Sequence, residues 1–361
     1  MARGWIAFVF ALLSFSAASI AAQENGVSTA ASNNPASPPA WAYGFATPAT
    51  RAAAADTAAP VDAAAPAVTP AGGAPAAAPA APVDTSLHTL RGTKLSFTRA
   101  QVSDRFGPAD WFPQDHPAMP PIVAHGKAPD VMACALCHYP NGRGRPENAA
   151  VAGLTENYIL QQLQHFRRDE RHTADSRKTN TGLMVQIAKG MSDAEMQDAA
   201  RYFSKLKFPR WIKVIETDTV PRTEISGGMF LPIANAGREP IGARIIEVPE
   251  DRTAVEELRN PRVGFIAYVP RGSIRRGEAL VMRASGKTPL PCTTCHGPDL
   301  KGMLDIPPLA GRSPSYIVRE LFDIQAGTRF GTGVDLMKPI VARLGPEDML
   351  DIAAFLASRS P

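Results

Sequence analysis

Two pentapeptides constrain this 361-residue chain more than any other feature: Cys134-Ala-Leu-Cys137-His138 and Cys292-Thr-Thr-Cys295-His296. They use all four cysteines of the chain and lie 158 residues apart. Two thiols three positions apart on a helical turn reach the two vinyl groups along one porphyrin edge. The adjacent histidine then turns its imidazole towards the iron as proximal ligand. A thioredoxin-like dithiol would need a βαβ context that neither segment provides. A single four-thiolate zinc site would join the two copies and leave both histidines without a role. Two covalently attached haem c groups are therefore expected, one per pentapeptide.

The spacing recurs beyond the cysteines. Gly153 and Tyr158-Ile159 return as Gly311 and Tyr316-Ile317 at the same offset of 158, whereas Met184 and Met196 return as Met337 and Met349 at 153. One unit is thus duplicated, with a five-residue difference in the polar stretch 171–181, where added loop costs little. Each copy ends in an amphipathic helix. Ser192-Asp-Ala-Glu195 is a capping box ahead of Met196, Ala199, Ala200, Phe203 and Leu206. Pro346 opens its counterpart, with Met349, Ile352, Ala353 and Leu356 as the apolar stripe. A middle helix starts near Glu156 in one copy and Pro314 in the other. Between the copies, a Pro- and Gly-rich stretch holds β-branched runs at 211–215, 243–248 and 264–269, which read as an irregular connector with a small β-ribbon.

The N-terminus has a different character. Arg3, the apolar run from Trp5 to Phe15 and Ser19-Ile20-Ala21 fit an export signal over 1–22. Uncleaved, the same segment is long enough to serve as an anchor. From Gln23 to Asp84 the chain is mainly Ala, Pro, Ser, Thr and Gly with almost no large apolar residues, a composition that buries too little surface to offset its chain entropy, and disorder is expected. Alanine there inflates the hydrophobic fraction of 45%, and aromatics are only 7%, so a prosthetic group in each domain would supply missing apolar volume. The formal charge of +4 falls to +3 on cleavage, with no Lys/Arg block, which argues against nucleic acid as a partner.

A sixth iron ligand has to come from downstream, and methionine sulfur is the usual partner opposite histidine. Met196 and Met349 lie in helical stripes and belong to the core. Met184 and Met337 share one repeat position in loop-like surroundings ahead of the last helix and are the expected distal ligands. Met191 and Met303 are their rivals. The cofactor-binding set is then Cys134, Cys137, His138, Met184, Cys292, Cys295, His296 and Met337, with both histidines and both methionines on iron.

These residues, with Pro307-Pro-Leu-Ala-Gly311 and Met337 before the final helix, resemble a class I cytochrome c domain. The doubled arrangement resembles the periplasmic dihaem branch of that family, over about Ile122 to Phe208 and Ser273 to Ser358. The resemblance implies an all-α fold of two tandem domains, each a few helices around a covalent haem. The boundaries expected are 1–22 signal, 23–86 disordered linker, 87–209 first domain, 210–272 connector and 273–361 second domain. It also implies that the carbonyl at Pro307 accepts from the proximal histidine, with Ala149 at that place in the first copy. Gly126 is expected against Phe203, and Gly277 against Phe355.

The function implied is an exported, soluble one-electron carrier of the periplasm, not an enzyme. Its partners would be a quinol-oxidising complex, a terminal oxidase or reductase, or a periplasmic dehydrogenase, with membrane contact only through a retained anchor. A second reading is a haem subunit docked through its connector on a larger dehydrogenase or oxidase. A third is a dihaem peroxidase, which needs an open iron and acid–base residues. His165 and His172 are the nominees for that role but read as surface residues. With its looser loop, the Cys134 site is expected to be the more open of the two.

Overall fold

The computed structural model describes residue 1 and residues 37–47 and 84–361. The segment read as an export signal lies outside the described residues. Part of the stretch expected to be disordered is ordered. Ala40–Tyr43 forms a single tight helical turn, with Trp41, Ala42 and Tyr43 buried. Its Trp and Tyr carry the apolar surface that the neighbouring Ala and Pro residues lack, and burial of that surface offsets the cost of ordering. We refer to 39–45 as the strap.

Chain order then brings strands β1 (His88–Thr89) and β2 (Ser96–Phe97) and the one-turn helix α1 (Arg99–Val102), capped by Thr98. They enclose a small core of Leu90, Val102, Trp111 and Phe112. The first copy follows with α2 (Pro121–Ala124), α3 (Cys134–His138), α4 (Glu156–Arg167), α5 (Thr179–Gly190) and α6 (Asp193–Ser204). The expected capping box opens α6: Ser192 N–H donates to Glu195 Oε2 at 2.6 Å, and Glu195 N–H to Ser192 Oγ at 3.3 Å. Met196, Ala199, Ala200, Phe203 and Leu206 all face a core that belongs to this copy.

The connector departs from an all-α chain. Strands β3 (Ile212–Glu216), β4 (Thr219–Pro221), β5 (Thr223–Ser226), β6 (Met229–Pro232), β7 (Arg238–Pro240) and β8 (Ile246–Pro249) precede the short helix α7 (Arg252–Glu256) and strand β9 (Phe265–Val269). β9 is the centre of a three-stranded sheet, parallel to β3 and antiparallel to β8. The three β-branched runs of the sequence are these three strands, so the stretch is an ordered sheet where an irregular connector was expected. The parallel β3–β9 pairing joins segments far apart in sequence, a partnership that local patterning does not encode.

The second copy comprises α8 (Ser273–Met282), α9 (Thr293–His296), α10 (Pro314–Gln325), α11 (Lys338–Val341) and α12 (Pro346–Ser358). Its helices share one core with the connector sheet and the strap. A Cβ on Gly277 of α8 would collide with the Asp351 carbonyl of α12 and lie 2.9 Å from Phe355 Cβ, so glycine lets these helices cross closely, as expected. Gly126 does not do the same. It turns the chain at φ +63° beside Val131, Met132 and Ala133, because α2 is only one turn long and ends before it.

Two candidate haem sites and the interface between them

In the first copy, Cys134, Cys137 and His138 of α3 line a cavity of ≈ 160 Å³. Leu154, Ile159, Leu163 and Phe203 supply apolar walls, and Met184 lines the same space. Met184 lies within helix α5, not in a loop. The Thr-Asn-Thr-Gly opening of that helix mimics a loop, but Val185, Ile187 and Ala188 are buried and hold it in place. The rival Met191, just past the helix end, is also buried and lines the cavity. In the second copy, Cys292 and Met337 pack against one core. Met337 caps α11. The rival Met303 is an exposed side chain.

Both histidines are fixed identically. His138 Nδ1 lies 2.8 Å from the Ala149 carbonyl and His296 Nδ1 lies 2.8 Å from the Pro307 carbonyl. A carbonyl only accepts, so each imidazole donates through Nδ1 and leaves Nε2 as the nitrogen able to ligate. Alanine in place of proline therefore does not lengthen this bond. Burial holds both imidazoles below the usual histidine range, in the neutral form that metals bind. Burial likewise pushes the Cys134 thiol up to about 12 and the Cys292 thiol up to about 11. An activated redox dithiol is shifted the other way. Among the described residues, no three His, Cys, Asp or Glu side chains gather as a metal cluster.

Two segments, 123–207 and 274–360, match the family model of cytochrome c. A cytochrome c4 from Azotobacter vinelandii is 31% identical over 247 residues, covering 67% of this chain and 90% of that protein. The chain belongs to the cytochrome c family. It is a two-domain class I cytochrome with two covalently bound haem c groups, and it is an electron-transfer protein. A thiosulfate dehydrogenase electron acceptor from Thiomonas intermedia is 26% identical over 235 residues, 64% of this chain and 80% of that one. The solved thiosulfate dehydrogenase from Marichromatium purpuratum is 23% identical at a TM-score of 0.43. It covers 65% of this chain, which spans 38% of that longer protein.

The cytochrome's two halves meet across a polar pseudo-two-fold contact that sequence reading missed. Arg171 and Arg329 occupy equivalent positions 158 residues apart and pair as an antiparallel bridge. Its hydrogen bonds run from His172 N–H to the Thr328 carbonyl at 2.8 Å and from Phe330 N–H to the Glu170 carbonyl at 2.9 Å. Arg171 donates to Gln162 at 2.9 Å and to Glu320 at 2.6 Å. Arg329 donates to Tyr158 at 3.0 Å, to Gln162 at 3.1 Å and to Glu320. The signal was available, since Tyr158, Gln162 and Arg171 match Tyr316, Glu320 and Arg329 at the offset already found. The five-residue difference therefore begins after His172.

Charge here suits the cofactor. Arg171, Lys178 and Arg319 all line the first cavity, and the last comes from α10 of the second half. Burial, reinforced by Arg319, pulls the Lys178 ammonium down to about 7. Burial also depresses Arg329, with Arg171 beside it. Among the described residues, Nε of Arg329 and of Arg312 are buried without an acceptor. A largely apolar cavity with two thiols, an imidazole and a thioether, and with Arg171, Lys178 and Arg319 among its wall residues to complement carboxylates, fits a haem.

Two expectations about openness and exposure are reversed. His165 is fully buried, with Gly331 of the other half against its ring, while His172 alone is exposed. The Cys134 site is the enclosed one, roofed by Tyr316, Arg319 and Asp323 of α10, whereas Cys295 is exposed.

Proposed function

We propose that Cys134 and Cys137 hold one haem by thioether bonds, with His138 Nε2 and Met184 Sδ as axial ligands. Cys292, Cys295, His296 and Met337 take the same roles for the second. The observation that carries this assignment is the matched 2.8 Å Nδ1-to-carbonyl bond in both copies, which orients each imidazole and raises its basicity. Bound haem supplies a one-electron iron couple whose potential follows axial ligation, hydrogen bonding and burial. His138 with Met184, and His296 with Met337, would hold the two irons, Leu154, Ile159, Leu163 and Phe203 line the first site with apolar surface, and Arg171 stands on its wall. Two irons so held would leave no open position for a substrate, which would favour electron transfer over peroxidase chemistry.

On this reading the protein is an exported periplasmic carrier that takes electrons from a dehydrogenase and passes them to an oxidase or reductase. Support for a dehydrogenase as donor comes from relatives named as thiosulfate dehydrogenase electron acceptors. Among the described residues no helix is long and apolar enough to cross a membrane.

Optical titration of the purified holoprotein tests the ligands. Met184→Ala and Met337→Ala should each abolish the iron–methionine absorption of one haem and leave the other. An unchanged spectrum in either variant removes that methionine from the assignment.

A further inference from the structure

The connector reaches into the first pentapeptide. Arg259, just past the short helix α7, donates to the carbonyl of Leu136, which lies between Cys134 and Cys137. Its guanidinium stands 5.7 Å from the ring centre of Tyr139, the residue after His138. Burial pushes the Cys137 thiol up, and Arg259 and then Arg145 pull it back. The field of this cation therefore reaches a sulfur of the pentapeptide.

Arg259 is built into this place. Its φ of +50° is left-handed, a conformation that a residue with a side chain seldom adopts unless its surroundings impose it. Here both flanks are pinned. Trp111 holds the Leu258 carbonyl, Asn260 N–H donates to the Ala254 carbonyl at 2.8 Å, and Asn141 Nδ2 donates to the Pro261 carbonyl at 2.8 Å. Arg262 closes the segment on Asp115.

The charge is also left without a counterion. Arg145, which acts on the same sulfur, pairs with the buried Glu147 at 2.5 Å. Among the described residues, no carboxylate lies within ion-pairing distance of Arg259. Burial and Arg145 hold Arg259 below the usual guanidinium range, yet a guanidinium keeps its proton at neutral pH. The second half differs at this point. Leu136 is buried, whereas its counterpart at the 158-residue offset, Thr294, is exposed, as is Cys295.

We propose that Arg259 is the tuning residue of the first centre, its fixed charge at the Leu136 carbonyl favouring the reduced over the oxidised haem at Cys134 and Cys137. Ferric haem carries one positive charge more than ferrous haem, and a nearby cation without a counterion destabilises the more positive state. The couple takes up one electron from the donor of the transfer reaction. Arg259 stays protonated in both states, so no proton moves with that electron. The tuning group comes from the connector, outside both duplicated units, so one copy receives it and the other does not. The proposal rests on attachment of a haem at Cys134 and Cys137.

Redox titration of the full-length holoprotein, followed by NMR through the methyl resonances of each haem, tests it. Arg259→Gln keeps a donor for the Leu136 carbonyl and loses the charge. Arg259→Met loses both but keeps an apolar stem beside Tyr139. Either neutral variant should lower the reduction equilibrium constant of the Cys134 haem about tenfold, which is ~59 mV for a one-electron couple. The Cys292 haem should stay within about twofold. Arg259→Lys keeps the charge and should hold the Cys134 haem within about threefold of wild type. Arg252→Met on α7, where the arginine is paired with Glu224 and Glu256, should leave both haems within about twofold.

The two neutral variants give up different contacts, so either one that folds decides the question. A Cys134 haem within about twofold of wild type in a neutral variant overturns the proposal. So does Arg259→Lys falling as far as Arg259→Met, which would make the guanidinium fork responsible and not the charge, or an equal shift of both haems. A proteolytic peptide spanning Cys134 and Cys137 that lacks the haem mass would instead refute the attachment, so the two failures are distinguishable.

Discussion

The two halves of this cytochrome carry the same haem-binding pentapeptide and the same carbonyl bond to its histidine, yet one is wrapped and the other bare. Four additions to the duplicated unit reach the first half: the strap, which also packs into the core of the second, the 84–119 extension, the β5–β6 turn and the 252–262 segment. Trp111 Nε1 donates to the Leu258 carbonyl at 2.7 Å, and Arg262 clamps Asp115 through both carboxylate oxygens at 2.7 and 2.6 Å. The chemistry at the cysteines is set by five residues. Access to it is set by segments far away in sequence.

The strongest way to break that contrast is to unwrap the first half. Arg319 of α10 donates to the Ala42 carbonyl at 2.6 Å and to the Pro146 carbonyl at 2.7 Å, so one guanidinium holds both the strap and the loop beneath it. Tyr43 closes the clasp, donating to Asp323 at 2.6 Å. Trp41→Ala removes a buried indole and should cost about 3–5 kcal/mol in denaturant unfolding. Amide exchange at residues 145–148 should quicken while exchange at residues 303–306 stays as it was. If the 145–148 amides remain protected in the variant, the strap is not what covers that loop.

Gly277 sharpens the comparison from the other side. The second half is bare at its cysteines but built on a full helix crossing, α8 over α12, that the single turn of α2 cannot make. Gly277→Ala forces a methyl into the Asp351 carbonyl and should cost about 1–3 kcal/mol. The absorption of the haem attached at the Cys292 pentapeptide should shift before that of the other as denaturant rises. Simultaneous loss of both would mean that the halves unfold as one body and that the crossing supports the whole.

Sequence legibility followed the range of the physics involved. The pentapeptides, the 158-residue offset and the Ser192–Glu195 cap are local or periodic, and the structure repeats them. The surroundings of Met184 read as a loop, but the structure places it within α5, lining the cavity together with its rival Met191. The strap was hidden because Trp41-Ala-Tyr43 sits within Ala/Pro-rich sequence whose average composition predicts disorder, and its partners Arg319 and Asp323 lie far along the chain. His165 was misread for a related reason. Its polar neighbours read as a solvent-facing run, but Gln162 is buried in the interface and the His165 side chain meets Gly331 from the other half. The pairing of β3 with β9 and the covering of Cys137 by Arg259 are likewise tertiary facts that no local pattern announces.

The finest difference between the halves lies at their middle helices. Thr155 and Asn157 at the start of α4 match Ser313 and Ser315 at the start of α10, and each pair donates to a carboxylate from elsewhere. Asp305 receives Thr155 Oγ1 at 3.0 Å and Asn157 Nδ2 at 3.2 Å in the open. Glu247 of β8 receives Ser315 N–H at 2.7 Å, Ser315 Oγ at 2.5 Å and Ser313 Oγ at 2.9 Å in the interior. Burial raises the Glu247 pKa above its usual 4.5, and the donors from Ser315 and Ser313 pull it back only in part.

A carboxyl raised on folding holds its proton more tightly in the native state. Its contribution is complete below about 4.5 and is lost as pH rises through the raised value. Glu247→Gln keeps the acceptor but carries no such proton. It should therefore cost less than about 1.5 kcal/mol at acidic pH, and its deficit against wild type should shrink by pH ~8. Asp305→Asn, at the exposed counterpart, should stay within about 0.5 kcal/mol. Denaturant midpoints of both variants at two pH values decide the matter. A Glu247→Gln deficit that grows with pH would show that the buried carboxylate is held charged, and that the wrapped interior of this protein tolerates an anion where its burial predicts a proton.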